Sequence, residues 1–408
     1  MIKMGSINIE MFPASYGDSF LISCGDGDLE RTNLLVDSGF ISTYENYLRD
    51  RLQQLNDSGN RLALLVITHI DADHLSGALK LLEENGHSSI PKIIPIDKVW
   101  HNSFRHLQWE KNSSPPELTI IEKKILEEIN TQGYPNELNN VENKDKPISA
   151  KQGSSLASLV FQGGYSWNVD FAGQAVCVEN RREIDLGNGV KIIMLSPTVN
   201  KLKQLGECWK RTLYKMGYKK EITDGDIFDD AFEFLVSREK TRAIVNREKK
   251  VSSSQVNLEA LSSNPFTEDT SAANGSSIAF ILQFMGKKIL FLGDSHPCII
   301  EQELRFLYGE GPIWFDAVKV SHHGSSGNTS PSLLKLIDSA NFLISTNGMR
   351  FHHPELVTLA RIVCRESTEK RNLIFNYKTP ASNYMDDKQR KKKYNYEVQI
   401  LSEGQISI

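Results

Sequence analysis

The sequence predicts a mixed α/β fold, and three observations predict it. Segments that alternate or run apolar like β-strands fill both ends of the chain. Stretches with helical spacing separate many of those segments. Two polar, helix-prone sections, at about 104–175 and 199–272, interrupt the pattern, and strands resume after each. They read as insertions in one scaffold spanning 1–408.

INIEMF, SFLISC and NLLVDSG open the chain as strands, with GDGD at 25–28 as a hairpin turn between the last two. RLALLVITH at 61–69 is a short apolar run that stops abruptly at polar residues, the pattern of a buried central strand. Leu75, Leu79 and Leu82 then fall at helical spacing, and KVWHNS at 98–103 ends another strand. EKKILEEI is the clearest amphipathic piece of the first polar section. VKIIMLSPT at 190–198 has strand character, a helix is expected around 199–216, and SSSQVNLEALSSNPFTEDTSAANGSS is of low complexity. SIAFILQF and KKILFLGD form a hairpin around Met285-Gly286. A helix near 298–308, the strand DAVKVSHH, a helix near 331–339, the strand NFLISTNG and a helix from about 354 follow. NLIFNY and YEVQIL close the chain as strands.

Composition removes several classes. With 39% hydrophobic residues the chain can bury a sizeable core and is not of the disordered type. A formal net charge of −4 gives no reason to expect a surface that holds nucleic acid nonspecifically. The five cysteines are scattered and include no Cys-x-x-Cys pair, so neither a disulfide framework nor a cysteine zinc site is expected. The first residues lack the apolar core of a signal peptide, and no apolar run reaches the roughly 18 residues of a membrane span. The expectation is a cytoplasmic protein without a membrane partner.

The chemistry concentrates in T-H-I-D-A-D-H-L-S-G at 68–77, where a strand runs into a tight loop and then a helix. His69 and Asp71 alternate to one side of that loop and can share a cation, while Asp73 and His74 can serve a second one nearby. Imidazole and carboxylate are the usual ligands of hydrolytic zinc, and added carboxylate moves preference towards manganese. The competing reading is a polar loop whose Asp73 caps the helix.

This loop resembles the HxHxDH mark of the metallo-β-lactamase superfamily. NLLVDSG at 33–39 is similar to the family's early strand ending in Asp-x-Gly, ILFLGD at 289–294 to its later strand, and KVSHHGS at 319–325 to its last ligand strand. The HxDxDH spelling, the Gly17-Asp18-Ser19 opening and the HHGS segment most resemble the metallo-β-lactamase domain of ComEC/Rec2-type competence proteins. The resemblance implies a four-layer αββα sandwich with helical and irregular insertions, and one or two divalent metal ions, Zn or Mn. It implies that His69 and Asp71 hold the first metal, that Asp73 and His74 hold the second, and that Asp294 bridges them. His322 is expected to complete the second site, with His323 as its rival and as a substrate contact.

The chain departs from the family pattern in two places. Asp71 stands where histidine is commoner, and the segment AANGSSIAF offers Asn274 and serines but no further imidazole. The third ligand of the first site and the number of metals therefore stay open. Asp37 is expected to orient the metal loop rather than bind. In FHHPE at 351–355, His353 or else His352 would reach the cleft and contact the substrate or protonate the leaving oxygen, the bland reading being surface histidines beside a helix start. Lys319 is a substrate-binding candidate or simply a structural lysine. The basic run 388–393 either grips phosphates or forms a solvated loop.

The implied activity is metal-assisted hydrolysis with Asp73, Asp294 and His353 in catalytic roles, acting on a phosphodiester, with DNA or RNA as the leading substrates. The alternatives are a small-molecule hydrolase for a lactone, lactam, thioester or cyclic nucleotide, and a binding or scaffold component with a degenerate site. The insertions are expected to border the cleft and to offer a surface to a protein partner.

Overall fold

In the strand Thr32–Ser38, Leu34 and Val36 face one core and Leu35 another, and every residue is buried, so layers must cover both faces. The computed structural model describes residues 5–25, 31–109, 118–134, 155–219, 226–237, 257–401 and 404–408. Its strands are β1 (Ser6–Met11), β2 (Ser19–Gly25), β3 (Thr32–Ser38), β4 (Leu62–Val66), β5 (Val99–Trp100), β6 (Glu183–Gly187), β7 (Val190–Ser196), β8 (Ala279–Phe284) and β9 (Lys287–Phe291), followed by β10 (Ile313–Phe315), β11 (Ala317–Lys319), β12 (Ile337–Ser339), β13 (Asn341–Ile344), β14 (Arg371–Phe375), β15 (Tyr396–Ile400) and β16 (Gln405–Ser407). One sheet has the order β16-β1-β2-β3-β4-β5, a second β15-β14-β13-β11-β9-β8-β7-β6, and β10 pairs with β12 in a small third.

Three cores separate four layers. Between the sheets lie Ile9, Phe20, Leu34, Val36 and Val66 from the first and Met194, Phe280, Leu282, Phe291 and Leu343 from the second. On the outer face of the first sheet, Leu35 and Leu65 meet helices α1 (Arg49–Asp57) and α2 (Ala72–Asn85) through Leu52, Leu75 and Leu79. On the outer face of the second, Ile281, Leu290 and Phe342 meet Ile300, Leu304, Leu359 and Val363 of the helices Pro297–Tyr308 and Leu356–Val363. This is the predicted αββα sandwich.

Strands β3, β4 and β5 of the first sheet and β9, β11, β13, β14 and β15 of the second run parallel to their neighbours in those runs. Leu35 and Val36 pair with Leu65 and Val66, Phe291 pairs with Lys319, and Lys319 with Leu343. The ends of β3, β4, β9, β11 and β13 therefore lie at one edge of the sandwich, where ligands bind in parallel α/β sheets.

The two polar sections supply α3 (Ile120–Gln132), α4 (Leu156–Gln162), α5 (Val199–Lys215) and α6 (Asp226–Val236). These helices converge on the core that covers the first sheet, with Trp209 against Phe104 at 4.2 Å and against Phe232 at 5.3 Å between ring centroids. Glu233 ties them together. Its carboxylate lies 2.7 Å from His101 Nε2, accepts the Tyr134 hydroxyl at 2.5 Å, and accepts the Leu156 backbone N–H at 2.9 Å. Burial opposes its charge, but His101 and the Tyr134 hydroxyl outweigh burial and hold the carboxyl below its ordinary value.

Several expectations shift. The helix expected near 331–339 ends at Leu336, because Ile337–Ser339 pair in parallel with Ile313–Phe315. The basic run forms the helix Lys388–Tyr394, capped by Asp387, rather than a loop. Lys391 is paired with Asp386 and Glu397, and Lys393 with Glu259. The short edge strands β6 and β16 are not among the expected strands. Apart from Gly25, the GDGD turn lies outside the described residues. None of the five cysteines forms a disulfide, and among the described residues no helix is long and apolar enough to cross a membrane.

Glu233→Ala leaves His101, Tyr134 and the start of α4 without their shared acceptor. Chemical denaturation is expected to show a loss of about 3–5 kcal/mol, the usual effect of removing one partner of a buried charged pair.

Candidate metal centre

The loop after β4 enters α2 with Asp71 in the N-cap position, yet the Asp71 side chain makes no capping bond. Two glycines allow the chain to close up around the loop. A Cβ on Gly17 would lie 1.9 Å from the Asp73 carbonyl oxygen, and one on Gly77 would lie 2.1 Å from that of Ser38. The Gly17-Asp18 segment thus packs directly on the loop, with the Asp18 N–H donating to Asp73 O at 3.2 Å.

Ligand-type atoms gather on either side of Asp294, which is fully buried. On one side, His69 Nε2 is 2.9 Å from Asp71 Oδ2 and 3.6 Å from Asp294 Oδ2, and His322 Nε2 is 3.6 Å from the same Oδ2. On the other, Asp294 Oδ1 is 3.7 Å from His74 Nε2 and 3.8 Å from His323 Nε2. Asp73 Oδ2 lies 3.9 Å from His74 Nε2 and 3.5 Å from His323 Nε2. Both groups, His69-Asp71-Asp294 and Asp18-His74-Asp294-His323, are tight enough to hold a cation.

The donor set fits a divalent metal. Ligands about 2.0–2.2 Å from a tetrahedral cation lie roughly 3.3–3.6 Å apart, close to the spacings around His74 and His323. His74 Nε2 and His323 Nε2 are buried and make no hydrogen bond among the described residues. A buried imidazole nitrogen facing carboxylates without a bond calls for a bound cation or a proton.

Each imidazole is turned by what its Nδ1 meets. His74 Nδ1 is 2.8 Å from Asp37 Oδ2, and Asp37 also accepts the Thr68 N–H and hydroxyl, both at 2.8 Å. His323 Nδ1 is 2.9 Å from the Ser345 carbonyl oxygen and 3.2 Å from Asp18 Oδ1. His69 Nδ1 lies 3.1 Å from the hydroxyls of both Thr68 and Ser277. His322 Nδ1 lies 2.9 Å from Asn328 Oδ1, and the Asn328 amide donates to Asp269 and to the Asp294 carbonyl.

Electrostatics follow from this crowding. Burial disfavours a charged His74, but Asp37, Asp294 and Asp73 outweigh it and raise its pKa to about 9. Burial likewise opposes charge on His323, and Asp18 and Asp294 raise it to about 10. Asp18 is buried too, yet Lys319 and His323 hold its carboxyl well below the usual carboxylate range.

His69, Asp71, Asp73, His74, Asp294, His322 and His323 therefore meet at one point. His322, expected beside Asp73 and His74, lies instead on the His69 side, and His323 occupies the expected place. Both residues adopt left-handed backbone angles, φ 46° and 54°, which send neighbouring imidazoles to opposite oxygens of Asp294. The buried His353 packs its ring 5.2 Å from that of His322, whereas His352 is exposed. Lys319, a substrate-binding candidate from sequence, is 1% exposed and committed to Asp18 and the Gly293 carbonyl, so it braces the centre from behind. Sequence reasoning missed Asp18, although the Gly17-Asp18 pair signals it. It also missed Asp269, Ser277 and Asn328, which lie in polar stretches with no distinguishing pattern.

A cation must displace the protons carried by His74 and His323 below about pH 9–10. Metal affinity is expected to rise with pH from 6 to 9 with proton release, as read by competition with a chelator and by calorimetry in buffers of different ionisation enthalpy. Asp37→Ala, which frees His74 to rotate, is expected to weaken metal binding about 10–100-fold while the protein stays folded.

Residues 14–141 match the family described as Metallo-beta-lactamase superfamily. No curated protein matches the chain. Among solved structures, the chain is similar to a mutant form of CmlA beta-hydroxylase at 10% identity and a TM-score of 0.34. That alignment covers 100% of this chain and 54% of the other, so the chain spans about half the length of that relative. The matched stretch contains the loop that bears His69, Asp71, Asp73 and His74, so the similarity to that superfamily includes the residues gathered around Asp294.

Proposed function

We propose that this protein is a metal-dependent phosphodiesterase, with nuclease action on DNA or RNA as the leading form. One observation carries the reading: two clusters of imidazoles and carboxylates share a single buried carboxylate, Asp294, through its separate oxygens. Divalent cations held by His69, Asp71 and Asp294 and by Asp73, His74, Asp294 and His323, either Zn or Mn, would supply Lewis acidity and a water made acidic near neutral pH. Asp73 and Asp294 orient the attacking water. His353, held between His322 and Phe351, delivers a proton to the leaving oxygen. Paired cations suit a phosphodiester because negative charge builds on its nonbridging oxygens. The HxDxDH and HHGS segments, similar to the competence-protein branch, support the same substrate class.

A small-molecule substrate such as a cyclic nucleotide is the second reading. The net charge of −4 and the pairing of Lys391 and Lys393 with carboxylates favour it, because neither leaves a broad basic track. Incubation with Mn²⁺ or Zn²⁺ against labelled DNA, RNA, cyclic nucleotides and a generic phosphodiester separates the readings. His69→Ala and Asp294→Ala are expected to lower phosphodiester cleavage by about a thousandfold or more, as loss of positioned transition-state charge does. Equal cleavage by wild type and His69→Ala overturns the proposal.

A further inference from the structure

We propose that Arg350 binds a second anionic group of the substrate, the phosphate next to the one under attack; this rests on the phosphodiesterase reading above. The loop Asn347–His353 follows β13 and is pinned to the segment before β2. Asn347 N donates to Ser15 O at 2.7 Å, its side-chain amide donates to Ser15 Oγ at 2.9 Å, and Ser15 N donates to the Tyr377 hydroxyl at 2.9 Å. Next in sequence, Tyr16 packs edge-on against Phe40 at 4.7 Å and Phe351 at 6.2 Å between ring centroids. These rings form one apolar cluster with Ala72, the residue between Asp71 and Asp73, so the cluster borders the metal loop.

Arg350 is set in this wall. Its guanidinium lies 5.0 Å from the centroids of both the Tyr16 and Phe351 rings and donates to the Tyr16 hydroxyl. Phe351 stacks on His353 at 5.9 Å, and His353 meets His322, which puts Arg350 within two rings of the centre. Arg365 and Arg371 both pair with Asp338, but Arg350 forms no ion pair among the described residues. Its one described side-chain hydrogen bond goes to a neutral hydroxyl, which leaves its charge uncompensated and most of its five N–H donors available. Phe351 and His352 take left-handed backbone angles, φ 60° and 57°, a strain that persists where surrounding contacts fix the loop. A planar fork held by two ring faces beside a metal centre, without a carboxylate of its own, is prepared for a bidentate oxyanion such as phosphate.

The test uses the full-length, metal-loaded protein and a dithymidine phosphorothioate, a slowly cleaved probe, with and without a terminal phosphate. Arg350→Ala is expected to weaken binding of the terminally phosphorylated probe about tenfold or more, while binding of the unphosphorylated probe and the metal content stay unchanged. Arg350→Lys is expected to recover only part of the loss, because a point charge replaces the fork. In cleavage of a terminally phosphorylated substrate, KM rises and kcat stays within about twofold. Equal binding of the phosphorylated probe by wild type and Arg350→Ala overturns the proposal, as does equal weakening of both probes. Failure of the wild type to cleave any phosphodiester strikes the parent reading instead, and the two-probe comparison still decides whether Arg350 holds an anion.

Discussion

The imidazoles of His69, His74 and His323 and the carboxylates of Asp18, Asp37, Asp71, Asp73 and Asp294 share one buried space, and the rest of the architecture answers that crowding. Carboxylates removed from water repel one another and lose hydration, so they must be neutralised. Lys319 supplies one positive charge from behind, to Asp18. His74 and His323 supply more when protonated, which is why the surrounding acids lift their pKa values. A divalent cation held between them would take over the role of those protons.

Holding the imidazoles in place requires both sheets. Asp37 at the end of β3 fixes His74, Ser277 before β8 reaches back to His69, and the Ile278 N–H bonds the Thr68 carbonyl at 2.8 Å. Asp269 and Asn328 set His322 from outside the two sheets. No single segment of the chain could build this centre alone. The parallel register of β9, β11 and β13 brings Asp294, His323 and Ser345 to one level.

The helical lobe plays a different part. Glu233, His101 and Tyr134 lock α4 and α6 onto the outer layer of the first sheet. Among the described residues, Asp269 at the end of the second polar section, with Asn274 and Ser277 just after it, comes to the centre. The α5 residue Lys201 reaches its neighbour His296, at 2.9 Å. An aromatic wall built by Tyr16, Phe40 and Phe351 borders the metal loop through Ala72.

Local sequence alone was enough to identify the apolar strands and the dense His and Asp loop, because strand burial and ligand spacing leave short-range patterns. It was enough to single out Asp294, the His322-His323 pair and His353 through motif resemblance at strand ends. It could not tell which of two adjacent histidines faces which oxygen of Asp294, since that depends on two left-handed backbone turns. Nor could it show that Lys319 turns inward to Asp18 while Arg350 stays at the rim. Those outcomes depend on which strands stack across the sandwich, and charges hundreds of residues apart become neighbours only after the sheets have closed.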